Sequence, residues 1–292
     1  MLDTKTKQYI FDEYADHLLY KELASQEKDA GNQGALKKLA QQEYDHYIFW
    51  KKFLPDYQPV VSSFYLWRFR LMRNLFGLTF TIKFLERHEH VVIEEYKKVA
   101  TELSGEDKAQ LEKIIRDEEE HENFFINQIQ EAVIKYIGFI ALGLADAIVE
   151  ITGVHAGFLG VTNSTLFAGI SGLIVGFSAA ISMGSAAYLQ AKQDPHRSAW
   201  VSAVTTGISY IVSVIFLAIP YFLTKSMGLA FLCSIGVGMA LIALLTFYSA
   251  VVFDRKFLRE FLETVCLMLA TAGATFLLGE FLGRAFGIQT HS

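Results

Sequence analysis

Along the first 135 residues, apolar side chains return every three to four positions, from residue 8 to 54 and again from 75 to 136, with charges filling the gaps. That is the period of an amphipathic helix, and no stretch alternates as a half-buried strand would. "AGNQG" (30–34) and "SGED" (104–107) interrupt the pattern and predict the turns of two helical hairpins, with Ser104 and Asp107 as a capping box for the last helix. A longer crossing between 54 and 75 joins the hairpins, so a four-helix bundle is expected. Beyond residue 135 the polar positions thin out. Windows near 136–158, 163–190, 199–223, 228–252 and 262–286 each reach the roughly 20 apolar residues that a helix needs to cross a bilayer. The pattern therefore predicts an all-α chain, a bundle domain over residues 1–134 followed by a five-helix transmembrane domain over 135–292.

Charge sharpens that division. Of 57 charged side chains, 43 precede residue 136, and the 24 acids there outnumber the 19 bases. No nucleic-acid partner is expected of so acidic a head. In the membrane half the second loop carries Lys192 and Arg197 and the fourth carries Arg255, Lys256 and Arg259. The first loop, "GVTNST", has no charge and the third has only Lys225. Basic short loops favour the cytosol, which predicts a multi-pass membrane protein with a cytosolic N-terminal domain and Ser292 outside, in the plasma membrane if the source is prokaryotic. The first 20 residues have no uninterrupted apolar core, so no cleaved secretory signal is expected. The two cysteines, Cys233 and Cys266, are far apart and form no CxxC pair, which excludes a disulfide framework and a four-cysteine metal site within one chain.

Candidate chemistry in the head lies in two Glu-x-x-His motifs, Glu43/His46 in "QEYDHY" and Glu118/His121 in "EEEHE". A three-residue step puts carboxylate and imidazole on one helix face. Glu13 lies 30 residues before Glu43, and Glu86 lies 32 before Glu118. In an antiparallel hairpin, residues equidistant from the turn return to the same height, so four carboxylates and two histidines can meet in one layer. Carboxylates and imidazoles suit two iron ions, or manganese, and would let them exchange electrons with oxygen or peroxide. Glu13, Glu43, His46, Glu86, Glu118 and His121 are thus the candidate metal ligands and catalytic residues, with Glu89, one turn beyond Glu86, as an alternate ligand. Glu119, Glu120 and Glu122 read as solvent-facing or supporting acids.

Candidate chemistry in the membrane half lies in "GLADAIVEITGVHAGFLG", where Asp146 and Glu150 are the only charges between Lys135 and Lys192. Four residues apart, they share a helix face. A carboxylate costs on the order of 3 kcal/mol to insert, so a pair on one face points to an ion or proton path. Met183, in "AISMGSAAY", adds a soft thioether suited to a transition metal. Glycine pairs at four-residue spacing, including Gly153/Gly157, Gly172/Gly176 and Gly279/Gly283, predict close helix packing. The crossing "SSFYLWRFRLMRNLFGLTFTIKFLERHE" mixes aromatics with Arg68, Arg70, Arg73 and Lys83, which fits either a segment on the membrane surface or a connecting helix packed on the bundle. No proline or glycine falls between Gly105 and Gly138, so one helix could run from the head into the first span. At 1.5 Å per residue, the stretch from Glu118 to Asp146 would then cover about 42 Å, too far for the two sites to share an ion.

Residues 13–46, with "ERHE" (86–89) and "EEEH" (118–121), resemble the rubrerythrin branch of ferritin-like proteins. The resemblance implies a ferritin-like di-iron centre held by Glu13, Glu43, His46, Glu86, Glu89, Glu118 and His121. "GLADAIVEITGVHAGFLG" and "SMGSAAYLQAK" resemble the first two membrane helices of the vacuolar iron transporter family, and the combination is similar to membrane-bound ferritins. This implies a homodimer that exchanges ferrous iron, manganese or another divalent transition metal for protons across the lipid bilayer, with Asp146 and Met183 at translocation positions. Where that family reads Gly-Glu-Tyr, this chain has Ala186, Ala187 and Tyr188, leaving Glu150 to compensate; a short "AKQDPHRSAW" replaces the helical insert of some relatives. The expected function is iron transport out of the cytosol, with a head that captures, oxidises or senses the metal and could carry ferroxidase or peroxidase activity. The alternative is a membrane-anchored rubrerythrin-like oxidase or peroxidase with structural membrane helices.

Overall fold

A computed structural model describes the backbone of residues 2–87, 89–128 and 132–288, and the side chains of 4–87, 91–120 and 135–288. The described residues form eleven α-helices and no strand, in two compact units, Met1–Glu131 and Ala132–Ser292. The stretch on which a continuous helix between head and first span depends, residues 129–131, lies outside the described residues.

In the first unit, α1 (Leu2–Gln26) packs along α2 (Ala30–Lys51), and α5 (Glu89–Glu102) along α6 (Gly105–Gln128). The expected crossing is itself helical, α3 (Ser63–Phe76), and is followed by the short α4 (Leu78–Glu86). The head therefore has six helices where the apolar period predicted four. Gly77 makes the break between α3 and α4, at φ 90°, a region that a side chain rarely adopts. The first turn also differs from expectation: it lies at 27–29, and "AGNQG" belongs to the opening of α2. Asp29 caps that helix by accepting from the Asn32 amide at 2.8 Å, a stronger start signal than the glycines are a stop. Gly105, at φ 63°, opens α6.

Two apolar clusters hold this unit together. Leu19, Tyr20, Leu23, Leu36, Leu39, Phe69, Leu78 and Ile82 pack at one end. Tyr9, Ile10, Trp50, Ile93, Tyr96, Leu111 and Ile114 pack at the other. Glu13 on α1 and Glu43 and His46 on α2 fall between these clusters in sequence.

The second unit contains five helices long and apolar enough to cross a membrane: α7 (Ala132–Val161), α8 (Thr165–Ala191), α9 (Ala199–Leu223), α10 (Met227–Val252) and α11 (Phe257–Ala285). The last begins five residues earlier than its apolar window, because Arg259, Glu260 and Glu263 form part of its first turns. Small residues set the helix spacing. At Gly279 of α11 an added Cβ would lie 2.2 Å from the Gly157 carbonyl of α7, and at Gly160 it would lie 2.6 Å from α11 backbone. The backbones of α7 and α11 thus touch directly, as small residues in membrane helices allow. Asp146 and Glu150 are both carried on α7.

Candidate metal sites

The head's candidate site is built by three helices. Glu13 comes from α1, Glu43 and His46 from α2, and Glu118 from α6; all four are buried. One ligand atom from each lies within 4.8 Å of the others, a grouping able to hold a metal ion. The imidazole is the hub: His46 Nδ1 is 2.9 Å from Glu118 Oε1, 3.4 Å from Glu13 Oε2 and 3.6 Å from Glu43 Oε2. Its other nitrogen, Nε2, is 3.6 Å from Asp117 Oδ2. One ring nitrogen therefore faces the carboxylate cluster, while a further carboxylate stands behind the ring, the arrangement that orients histidine ligands in metalloproteins. Tyr96 donates to Glu13 Oε1 at 2.5 Å and fixes that carboxylate from α5.

Electrostatics show what the cluster favours. Burial, with the neighbouring charges of Glu118 and Glu13, pushes the Glu43 carboxyl well above the usual carboxylate range despite the opposing pull of His46. Asp16, one turn beyond Glu13 on α1, is raised by burial and by Glu13, Asp12 and Glu118. Burial alone would lower the His46 imidazole, but Asp117, Glu118, Glu13 and Glu43 together raise it. Like charges crowded in a low-dielectric interior are stabilised by a cation placed among them. Three carboxylates and an imidazole with this excess of negative charge fit iron or manganese in donor type and sign.

Glu86 is also buried, at the end of α4, but it is not among the four grouped residues. The side chains of Glu89, His121 and Glu122 lie outside the described residues, as do those of His88 and His90. Glu119 and Glu120 are exposed, and Glu119 pairs with Lys97 at 3.0 Å. Sequence reasoning missed Asp117 and Tyr96. Asp117 was hidden in the acid run of "RDEEEH", although it lies three residues after buried Ile114 and therefore near the inward stripe. Tyr96 gave no polar signal, sitting among apolar neighbours at helical spacing.

In the membrane unit, Asp146 and Glu150 of α7 and Met183 of α8 line one cavity of about 500 Å³, with Ser178 and Ser182 among the other lining residues. All three predicted residues are half-buried. The Glu150 carboxylate accepts a hydrogen bond from the Tyr210 hydroxyl of α9. Tyr210, Ser178 and Ser182 were not anticipated. The two serines share a face one turn before and beside Met183, a four-residue polar spacing. Glu263 and Glu280 pair with Arg259 and Arg284 on their own helix and line no part of this cavity.

No curated protein and no solved structure matches the chain. The family model described as the VIT family matches residues 191–280, which covers α9, α10 and most of α11. Asp146, Glu150 and Met183 therefore lie before the matched stretch. The match and the five membrane-span-like helices together support a vacuolar-iron-transporter-family domain in the membrane unit, and with it a multi-pass membrane protein that handles a metal such as iron or manganese.

Proposed function

We propose that the protein moves ferrous iron, or manganese, out of the cytosol in exchange for protons, and that its N-terminal unit is a cytosolic ferritin-like domain that captures, oxidises or senses the same metal. The observation that carries this reading is the presence, in one chain, of a buried carboxylate–imidazole cluster and an intramembrane carboxylate pair that shares a cavity with a thioether. The match to the VIT family supports the transport half.

In this reading the head holds two metal ions. Glu13, Glu43, His46, Glu86, Glu89, Glu118 and His121 are the residues that would hold them. Bound iron would supply one-electron exchange with oxygen or peroxide. The chain's own residues arrange the site: Asp117 keeps His46 turned towards the carboxylates, and Tyr96 holds Glu13. In the membrane unit, Asp146 and Glu150 attract a divalent cation into a cavity that is otherwise low in dielectric, and Met183 favours a soft transition metal over calcium or sodium. When the cation leaves, the same carboxylates are available to take protons. The chain works as a homodimer.

The test is metal content and metal flux measured on one purified sample, with flux followed in proteoliposomes under an imposed pH gradient. Wild type is expected to retain head-bound metal and to drive pH-dependent flux. Asp146→Asn is expected to retain the bound metal and lose the flux. Unchanged, pH-independent flux in Asp146→Asn would overturn the transport reading. Bound metal with peroxide-dependent oxidation and no flux in wild type would replace it with a membrane-anchored oxidase.

A further inference from the structure

Helix α3 has two apolar faces. Its inner face enters the head's core: Phe69 is buried there, with Tyr65, Leu66 and Met72 packed against the same cluster. On the opposite face, Phe64 is 65% exposed, Trp67 51%, Leu71 41% and Leu75 66%. Their spacing of three, four and four residues makes one continuous stripe along the helix. Val60, 83% exposed, extends it just before the helix starts. Scattered apolar residues are normal on a surface, but a contiguous stripe of large ones marks an interaction site.

The surrounding charge indicates what covers the stripe. No acid occurs between Asp56 and Glu86, whereas Arg68, Arg70, Arg73 and Lys83 all do. Arg70 and Arg73 are engaged by Glu22 and Glu27 of the same unit. Arg68 makes no ion pair among the described residues and lies over the rings of Tyr65 and Phe69, beside the stripe. Phe64 and Trp67 stack at 5.7 Å. Aromatic and aliphatic side chains flanked by a guanidinium with no ion-pair partner among the described residues, on a segment that contains no acid, suit the boundary between acyl chains and anionic headgroups. A second copy of the chain fits less well. A two-fold contact through this face would oppose two Arg68 side chains, and the segment supplies no acid to pair them.

We infer that α3 is a membrane-interface helix, whose outer stripe inserts into the headgroup region of an anionic bilayer. The inference does not depend on what the membrane unit transports.

The test uses the full chain with Cys233→Ala and Cys266→Ala, one cysteine introduced by Leu71→Cys, and a nitroxide label. It is reconstituted in bilayers of phosphatidylcholine and phosphatidylglycerol. The reference carries Val91→Cys instead, an exposed position on α5 away from the stripe. The label at 71 is expected to lose access to a water-soluble nickel chelate while remaining open to oxygen, and the label at 91 to stay open to nickel. A Trp67→Ser change in the Leu71→Cys chain is expected to restore nickel access. Equal nickel access at both positions overturns the inference. So does spin–spin broadening at 71 that disappears on dilution with unlabelled protein, which would assign the face to a second copy.

Discussion

The two candidate metal sites solve opposite problems with similar side chains. In the head, three carboxylates and an imidazole crowd within 4.8 Å, fully buried and fixed from outside by Tyr96 and Asp117. In the membrane unit, two carboxylates on one helix turn share a half-exposed cavity of about 500 Å³ with a single thioether and two serines. A crowded, rigid set holds a cation tightly, whereas a sparse set in an open cavity lets it depart, as transport requires. In the proposed function, retention and release would follow from ligand number and enclosure more than from ligand type.

The largest expected effect separates the two sites by function. Glu118→Ala removes a carboxylate that lies against His46, and is expected to strip the head of metal while saturating flux persists and its apparent affinity falls. Metal analysis beside the flux assay checks this. If flux disappears altogether, the sites are not separable. A more conservative change tests the crowding. Glu43→Gln is expected to weaken metal binding yet stabilise the metal-free protein by about 1–2 kcal/mol, because it removes one of several buried like charges. Thermal unfolding with and without chelator should show opposite shifts.

Two smaller effects sharpen the contrast. Asp117→Asn is expected to lower metal affinity about tenfold with stoichiometry unchanged, since the residue orients a ligand without being one of the four. A competition titration measures it. The smallest concerns Glu27, whose electrostatics invert those of Glu43. Burial opposes its ionisation, but the Asp29 amide, Arg73 and the Lys28 amide overcome this and hold the carboxyl below its ordinary range. Its folded value lies below the unfolded one, so its stabilisation is present at neutral pH and lost as pH falls through the folded value. Glu27→Gln should cost about 1 kcal/mol at pH 7 and nothing in acid. Chemical unfolding at the two pH values decides the point.

Much of this arrangement was legible in the residues. Glu-x-x-His spacing and hairpin symmetry placed Glu13, Glu43, His46 and Glu118 together. The symmetry argument needed only the turn position, and the midpoint of 13 and 43 falls inside the real turn at 27–29. The rise in apolar content gave five spans, and their few charges gave the cavity. What escaped notice depends on contacts between helices distant in sequence. Tyr210 meets Glu150 only because α9 packs beside α7, and Tyr96 meets Glu13 across 83 residues. The helix α3 within the expected crossing, and its break from α4, escaped for a local reason: "LFGLTF" keeps an apolar period through a glycine whose backbone turns it aside.

The contact of Gly279 with Gly157, and of Gly160 with α11, leaves no side chain between the two backbones at that end of their seam. Such a seam has no compliant layer: rotation or sliding would drive carbonyl into Cα with nothing to yield. Asp146 and Glu150 ride on α7, while Met183, Ser178 and Ser182 stand on α8 across the cavity. A residue larger than glycine at 160 or 279 would therefore have to push α7 away from α11, and with it the helix that carries both carboxylates.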